Sequence, residues 1–151
     1  MKSVMLSIRP KWCEKIVGGE KTIEVRKTKP KLETPFKCYI YCTNSGVATG
    51  MWGKHGKIVG EFTCNTVTNL FSNSRFWLNE DDVLQTCLSA AELRKYADGA
   101  NGLYGWHISD LVCYDKPKEL SEFKGLRKTK FGYEPVEIKR APQSWCYVEE
   151  G

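Results

Sequence analysis

The first apolar run, broken only by Ser7, predicts a short strand over residues 4–8. A helix over about 10–17 follows. Pro10 suits its first turn, where the missing N–H would have had no intrahelical partner. Trp12, Ile16 and Val17 supply an apolar stripe, and Gly18 with Gly19 stops the helix. From 21 to 27 the period returns to two. Ile23 and Val25 take one face and Thr22, Glu24 and Arg26 the other, which predicts a half-buried strand. A polar linker, 28–35, leads to an aromatic and apolar run over 36–42 that reads as an interior strand. Four glycines among Ser, Asn and Lys make 43–56 a long mobile loop, placed to close over a ligand.

Residues 57–67 resume a strand pattern, and 71–78 read as an irregular aromatic connection. Two short helices come next. Asn79 caps an acidic first turn ahead of Val83, Leu84 and Cys87, and Ser89 with Glu92 forms a capping box ahead of 93–97. The longest strand pattern spans 103–114, with a turn at 115–118. A final short strand covers 143–148, and 120–142 carries no clean period. Five or six strands at irregular spacing, with clustered helices, predict an α+β fold in which a mixed sheet closes into a β-barrel with short inserted helices. Repeating βαβ units are not indicated.

A chain of 151 residues is expected to form one domain, 1–151, around one core. No apolar run approaches the roughly 20 residues needed to span a bilayer, so no membrane partner is expected. Arg9 and Pro10 interrupt the first apolar run before it could serve as a signal-peptide core, which points to the cytoplasm. Seven cysteines, an odd number lying mostly in apolar runs, suit reduced, buried thiols. The one close pair, Cys38 and Cys42, has no second pair or histidine beside it, so neither a metal site nor a cofactor is expected.

The net charge of +5 is unevenly spread. Residues 1–31 hold nine Lys or Arg against three acids, 116–140 hold eight against four, and 72–98 hold three against five. If the two basic segments meet in the fold, they form a surface that attracts phosphate.

The segment Gly19-Glu20-Lys21-Thr22-Ile23-Glu24-Val25-Arg26 places the pattern G-x-K-x-x-E-x-R at a junction of helix and strand. The glycine permits a tight reversal, Lys21 is expected to emerge at the mouth of the strand, and Glu24 and Arg26 share a face. This string resembles the signature of the ASCH domain (activating signal cointegrator homology), a PUA-like family. Leu6-Ser7-Ile8-Arg9-Pro10, residues 56–62, Tyr104-Gly105-Trp106-His107-Ile108-Ser109 and residues 141–147 are similar to the bacterial and phage branch of that family.

The resemblance implies a PUA-like barrel whose signature residues line a cleft, with RNA, a nucleotide or a modified nucleoside as partner. The binding candidates are Lys21, Glu24, Arg26, Arg9, Lys11 and Trp52, the last as a stacking platform in the glycine-rich loop. Trp106 and Trp145, in strand-like runs, are expected in the core. One bacterial subgroup resembles an amidohydrolase acting on N4-acylated cytidine, and under that alternative the catalytic candidates are Lys21, Thr22 and Glu24. Lys21 matches the activating lysine. At the threonine position this chain has Glu24, while Thr22 lies two residues earlier, a displacement of about 6.6–6.8 Å along a strand. Glu80 and Glu92 are candidates for the remaining glutamate. A ribonuclease and a protein-interaction adaptor complete the alternatives.

Overall fold

In the computed structural model, which describes residues 2–46 and 48–150, nine strands form one sheet. The strands are β1 (Lys2–Ile8), β2 (Ile23–Arg26), β3 (Phe36–Cys42), β4 (Lys57–Ser72), β5 (Arg75–Phe76), β6 (Gly102–Lys118), β7 (Lys124–Thr129), β8 (Gly132–Glu137) and β9 (Trp145–Glu149). Their order is β2-β6-β4-β3-β1-β9-β7-β8, with β5 pairing β4. Only β1 and β3 run parallel; every other pair is antiparallel, so the sheet is mixed. Three helices, α1 (Pro10–Val17), α2 (Glu80–Thr86) and α3 (Ala90–Ala97), are inserted between strands, giving the α+β class. No helix among the described residues is long and apolar enough to cross a membrane.

Period-two alternation decides which face of the sheet is inside. Val4, Leu6 and Ile8 of β1, Phe36, Cys38 and Ile40 of β3, Phe62 of β4 and Trp106 of β6 pack into the main core. Met5, Tyr39, Ile58 and Val148 face outward and are covered by Phe123, which makes a second core on the outer side. A third core holds α3 against the sheet through Leu93 and Ala97, which meet Val25, Leu70 and Leu103. Gly105 is required in β6 opposite Val25. A Cβ there would lie 2.9 Å from the Ile23 side chain, so only glycine lets β2 lie this close.

The sheet curls until β2, one end of its order, returns to β1 and the approach to β9. The Arg26 guanidinium joins them, donating from Nη2 to the Ser7 carbonyl (2.7 Å) and from Nη1 to the Ser144 carbonyl (3.2 Å). This seam of the barrel is closed by side chains.

Several expectations change. The strand over 57–67 runs on to Ser72, and 71–78 is a tight hairpin rather than an irregular connection. Asn73 and Ser74 both adopt left-handed conformations (φ 49° and 60°), and Phe71 packs on Phe76 across the turn. An Asn-Ser pair does this without the glycine that normally advertises such a turn. The proposed turn at 115–118 is part of β6. Register jumps from Gly60↔Cys113 to Ile58↔Lys118, so three extra residues bulge from a continuing strand.

The unassigned stretch 120–142 contains the hairpin β7–β8. Its faces are largely solvated, which removes the apolar alternation that reveals a strand. Nor is the glycine-rich segment a free loop over its described residues. Met51 is fully buried, Gly50 N donates to Glu14 (3.0 Å), and Gly56 N donates to the Cys42 carbonyl (2.7 Å). One apolar anchor outweighs the conformational freedom of the glycines around it.

Candidate functional site

A cleft of about 990 Å³ opens where β2 meets α1 and α3. β2 forms its floor, Arg9 and Trp12 one wall, and Glu92, Lys95 and Tyr96 of α3 the opposite wall. Thr43, Ser45 and Gln143 lie at the rim. Five cationic side chains line it, against the carboxylates of Glu24, Glu92 and Asp98.

Glu24 organises the floor. It accepts from Arg26 Nη2 (2.7 Å) and Nε (3.2 Å) through Oε2, and its Oε1 lies 3.5 Å from Lys21 Nζ. The remaining Arg26 hydrogens go to Ser7 and to the Ser144 carbonyl and hydroxyl, so all five guanidinium donors meet protein acceptors.

Lys21 does not emerge at the mouth of the strand as expected. It is 2% exposed: its ammonium lies 5.0 Å from the Trp12 ring centroid and donates to the Thr86 carbonyl (2.6 Å) at the end of α2. Burial lowers its pKa from the ordinary 10.5, and the neighbouring Glu24 carboxylate opposes that shift. Burial raises the Tyr96 pKa. Arg26 counteracts this shift and Glu24 reinforces it, which leaves the phenol a hydrogen-bond donor at neutral pH.

A profile of the ASCH domain matches residues 6–139. The chain belongs to the ASCH domain family. Among solved structures, this ASCH chain is similar to the crystal structure of ASCH from Zymomonas mobilis. The TM-score is 0.66 at 19% identity, and the match covers 98% of this chain and 88% of that one. Two mutants of that Zymomonas mobilis protein give TM-scores of 0.64 and 0.62 at 19% and 17% identity. They cover 99% and 98% of this chain, and 92% and 89% of theirs. At such identity the likeness concerns the fold. No curated protein matches the chain.

Of the residues predicted for the site of this ASCH domain, Lys21, Glu24, Arg26 and Arg9 come together around the cleft. The others lie apart. Thr22 donates its hydroxyl to Gln85 Oε1 (2.9 Å) on α2 and does not line the cleft. Lys11 is exposed and sits over the Trp12 ring at 4.6 Å. Trp52 is 83% exposed next to the buried Met51 and is not among the residues that line the cleft. Glu80 lies in the exposed first turn of α2. Glu92 reaches the cleft, yet its carboxylate accepts from Ser89 N (3.0 Å) and completes the capping box.

Sequence reasoning missed Lys27, Lys95 and Tyr96. On α3, Leu93 and Ala97 mark the buried stripe and leave 92, 95 and 96 on another side. That much is readable from the sequence, but which element this second side would meet is not.

Proposed function

We propose that the cleft holds a phosphate and a base of RNA or of a nucleotide. The observation that carries this reading is how the charges divide. The buried pair Lys21 and Arg26 is occupied by Glu24 and by backbone carbonyls, whereas Arg9, Lys27 and Lys95 stand exposed around the opening. Exposed cations attract phosphate, and Trp12 and Tyr96 offer ring surface for a base. Lys21, Glu24 and Arg26 then act as positioning residues that hold the floor and the seam. The cleft falls within the usual range of about 300–1,000 Å³ for small-ligand sites.

Fluorescence anisotropy with labelled RNA tests the reading. Affinity should fall as salt rises, and the triple variant Arg9→Ala, Lys27→Ala, Lys95→Ala should flatten the slope of log affinity against log salt by about two to three. Binding that ignores salt, or no binding to any RNA pool, sinks it.

A second reading, hydrolysis of RNA or of an N4-acylated cytidine, is favoured by the depressed pKa of Lys21 beside a carboxylate. A neutral lysine amine could take a proton from an attacking water, so the rate should climb with pH as Lys21 loses its proton. Wild-type protein that leaves both substrates intact across the alkaline range removes this reading.

A further inference from the structure

Beyond the cleft, the side-chain seam of the barrel continues as a row of aromatic rings. Trp145 and Tyr147 project from β9 onto the main core and are only half-buried. Their polar atoms meet the segment that follows β2. Trp145 Nε1 donates to Thr28 Oγ1 (2.8 Å), and Lys31 N donates to the Tyr147 hydroxyl (2.9 Å). Tyr133 of β8, 39% exposed, extends the row, with ring centroids 5.4 Å apart from Trp145 to Tyr147 and 6.0 Å from Tyr147 to Tyr133. The row begins at the cleft, since Gln143 lines the opening and Ser144, which holds Arg26, precedes Trp145.

Lysines run beside the rings. Lys27 lines the cleft, and Lys29 and Lys31 follow it on the same exposed segment. Lys2 Nζ lies 3.8 Å from the Tyr133 centroid and 4.8 Å from that of Tyr147, although Glu149 stands opposite Lys2 in the ladder. Lys27 Nζ lies 4.8 Å from the Tyr96 ring centroid and Lys29 Nζ 5.3 Å from that of Tyr104, and none of these four lysines forms a salt bridge among the described residues. Cations without a carboxylate partner, set among half-exposed rings, complement a strand whose phosphates and unpaired bases are both available.

We infer that a single-stranded nucleic acid leaves the cleft along this seam, with bases against Trp145, Tyr147 and Tyr133 and phosphates against Lys27, Lys31 and Lys2. The inference rests on the reading of the cleft above and names its substrate class. The ligand is a run of several unpaired nucleotides, not a free nucleoside or a duplex, whose stacked bases could not reach the rings.

The experiment measures anisotropy with a labelled uridine dinucleotide, a uridine octamer and an eight-base-pair RNA duplex, using the full chain. The octamer should bind at least about tenfold tighter than the dinucleotide and the duplex. Tyr133→Ala and, separately, Lys31→Ala should each weaken the octamer several-fold and leave the dinucleotide unchanged. Both residues are exposed, and an unaltered melting curve confirms the fold.

An octamer no tighter than the dinucleotide, or one insensitive to both substitutions, overturns the seam while the cleft reading stands. Failure of all three RNAs to bind removes both. If Tyr133→Ala leaves octamer affinity alone but abolishes nuclease-resistant capture of a protein, the seam is a protein-docking face and the inference fails.

Discussion

Two groups of opposite charges sit on opposite faces of the sheet, and they show how surroundings alter the worth of the same chemistry. On the cleft floor, the side chains of Lys21, Glu24 and Arg26 are 2%, 7% and 11% exposed. On the outer face, Lys37 bridges Glu61 (3.1 Å) and Glu150 (3.5 Å), and Tyr114 donates to Glu61 (2.7 Å), with the lysine 31% and Glu61 22% exposed. Water can replace a lost partner in the outer group. In the inner one, each ion depends on its neighbours, so removing one leaves the others desolvated and uncompensated.

The largest expected effect follows from that difference. Glu24→Gln leaves two buried cations facing each other and should cost about 3–5 kcal/mol, read as a lower denaturant midpoint. A loss below about 1 kcal/mol would mean that water reaches the floor, and the contrast with the outer face would vanish.

A smaller, pH-dependent effect belongs to the outer group. Burial pushes the Glu61 carboxyl upward, but bonds from Tyr114 and Lys37 outweigh it and hold the net pKa below the ordinary 4.5. A depressed folded pKa contributes stability that is present above the unfolded value and is lost as pH falls through the folded one. Glu61→Gln should therefore lower the melting temperature at neutral pH, by the equivalent of about 1–2 kcal/mol, and narrow its gap to wild type as pH falls below about 4.5. A gap that stays constant down to acid pH contradicts the assigned bonds.

The smallest effect is expected on the β7–β8 hairpin. There the solvated Arg127–Glu134 pair, with side chains 68% and 45% exposed, should contribute less than about 1 kcal/mol, so Arg127→Ala leaves the melting curve nearly in place. A large loss would show that exposure alone does not separate the two kinds of network.

The same distinction explains what was legible beforehand. The helix after β1, both helix caps and the strand over 36–42 could be read because each has local chemistry: a proline at a first turn, a capping box, an apolar run. The hairpin over 124–137 was not legible, since its residues face water on both sides and show no period. The common face of Glu24 and Arg26 followed from alternation, but the burial of Lys21 did not. That burial depends on Trp12, four residues past the end of β1, and on a carbonyl 65 positions away. Trp52 illustrates the reverse error. An aromatic residue among glycines suggested a platform, while its neighbour Met51 proved to be the anchor and the ring was left outside the cleft.

Local order along the chain was thus sufficient to assign the family, the α+β class and the shared face of the signature charges. These rest on periodicity and on a short motif, which act between residues close in sequence. The curl of the sheet, the clasp of Arg26 on Ser7 and Ser144, and the walls supplied by α1 and α3 arose only in three dimensions. Their partners lie 19 and 118 residues apart, and no spacing rule encodes which distant carbonyl a guanidinium will find once the core has packed.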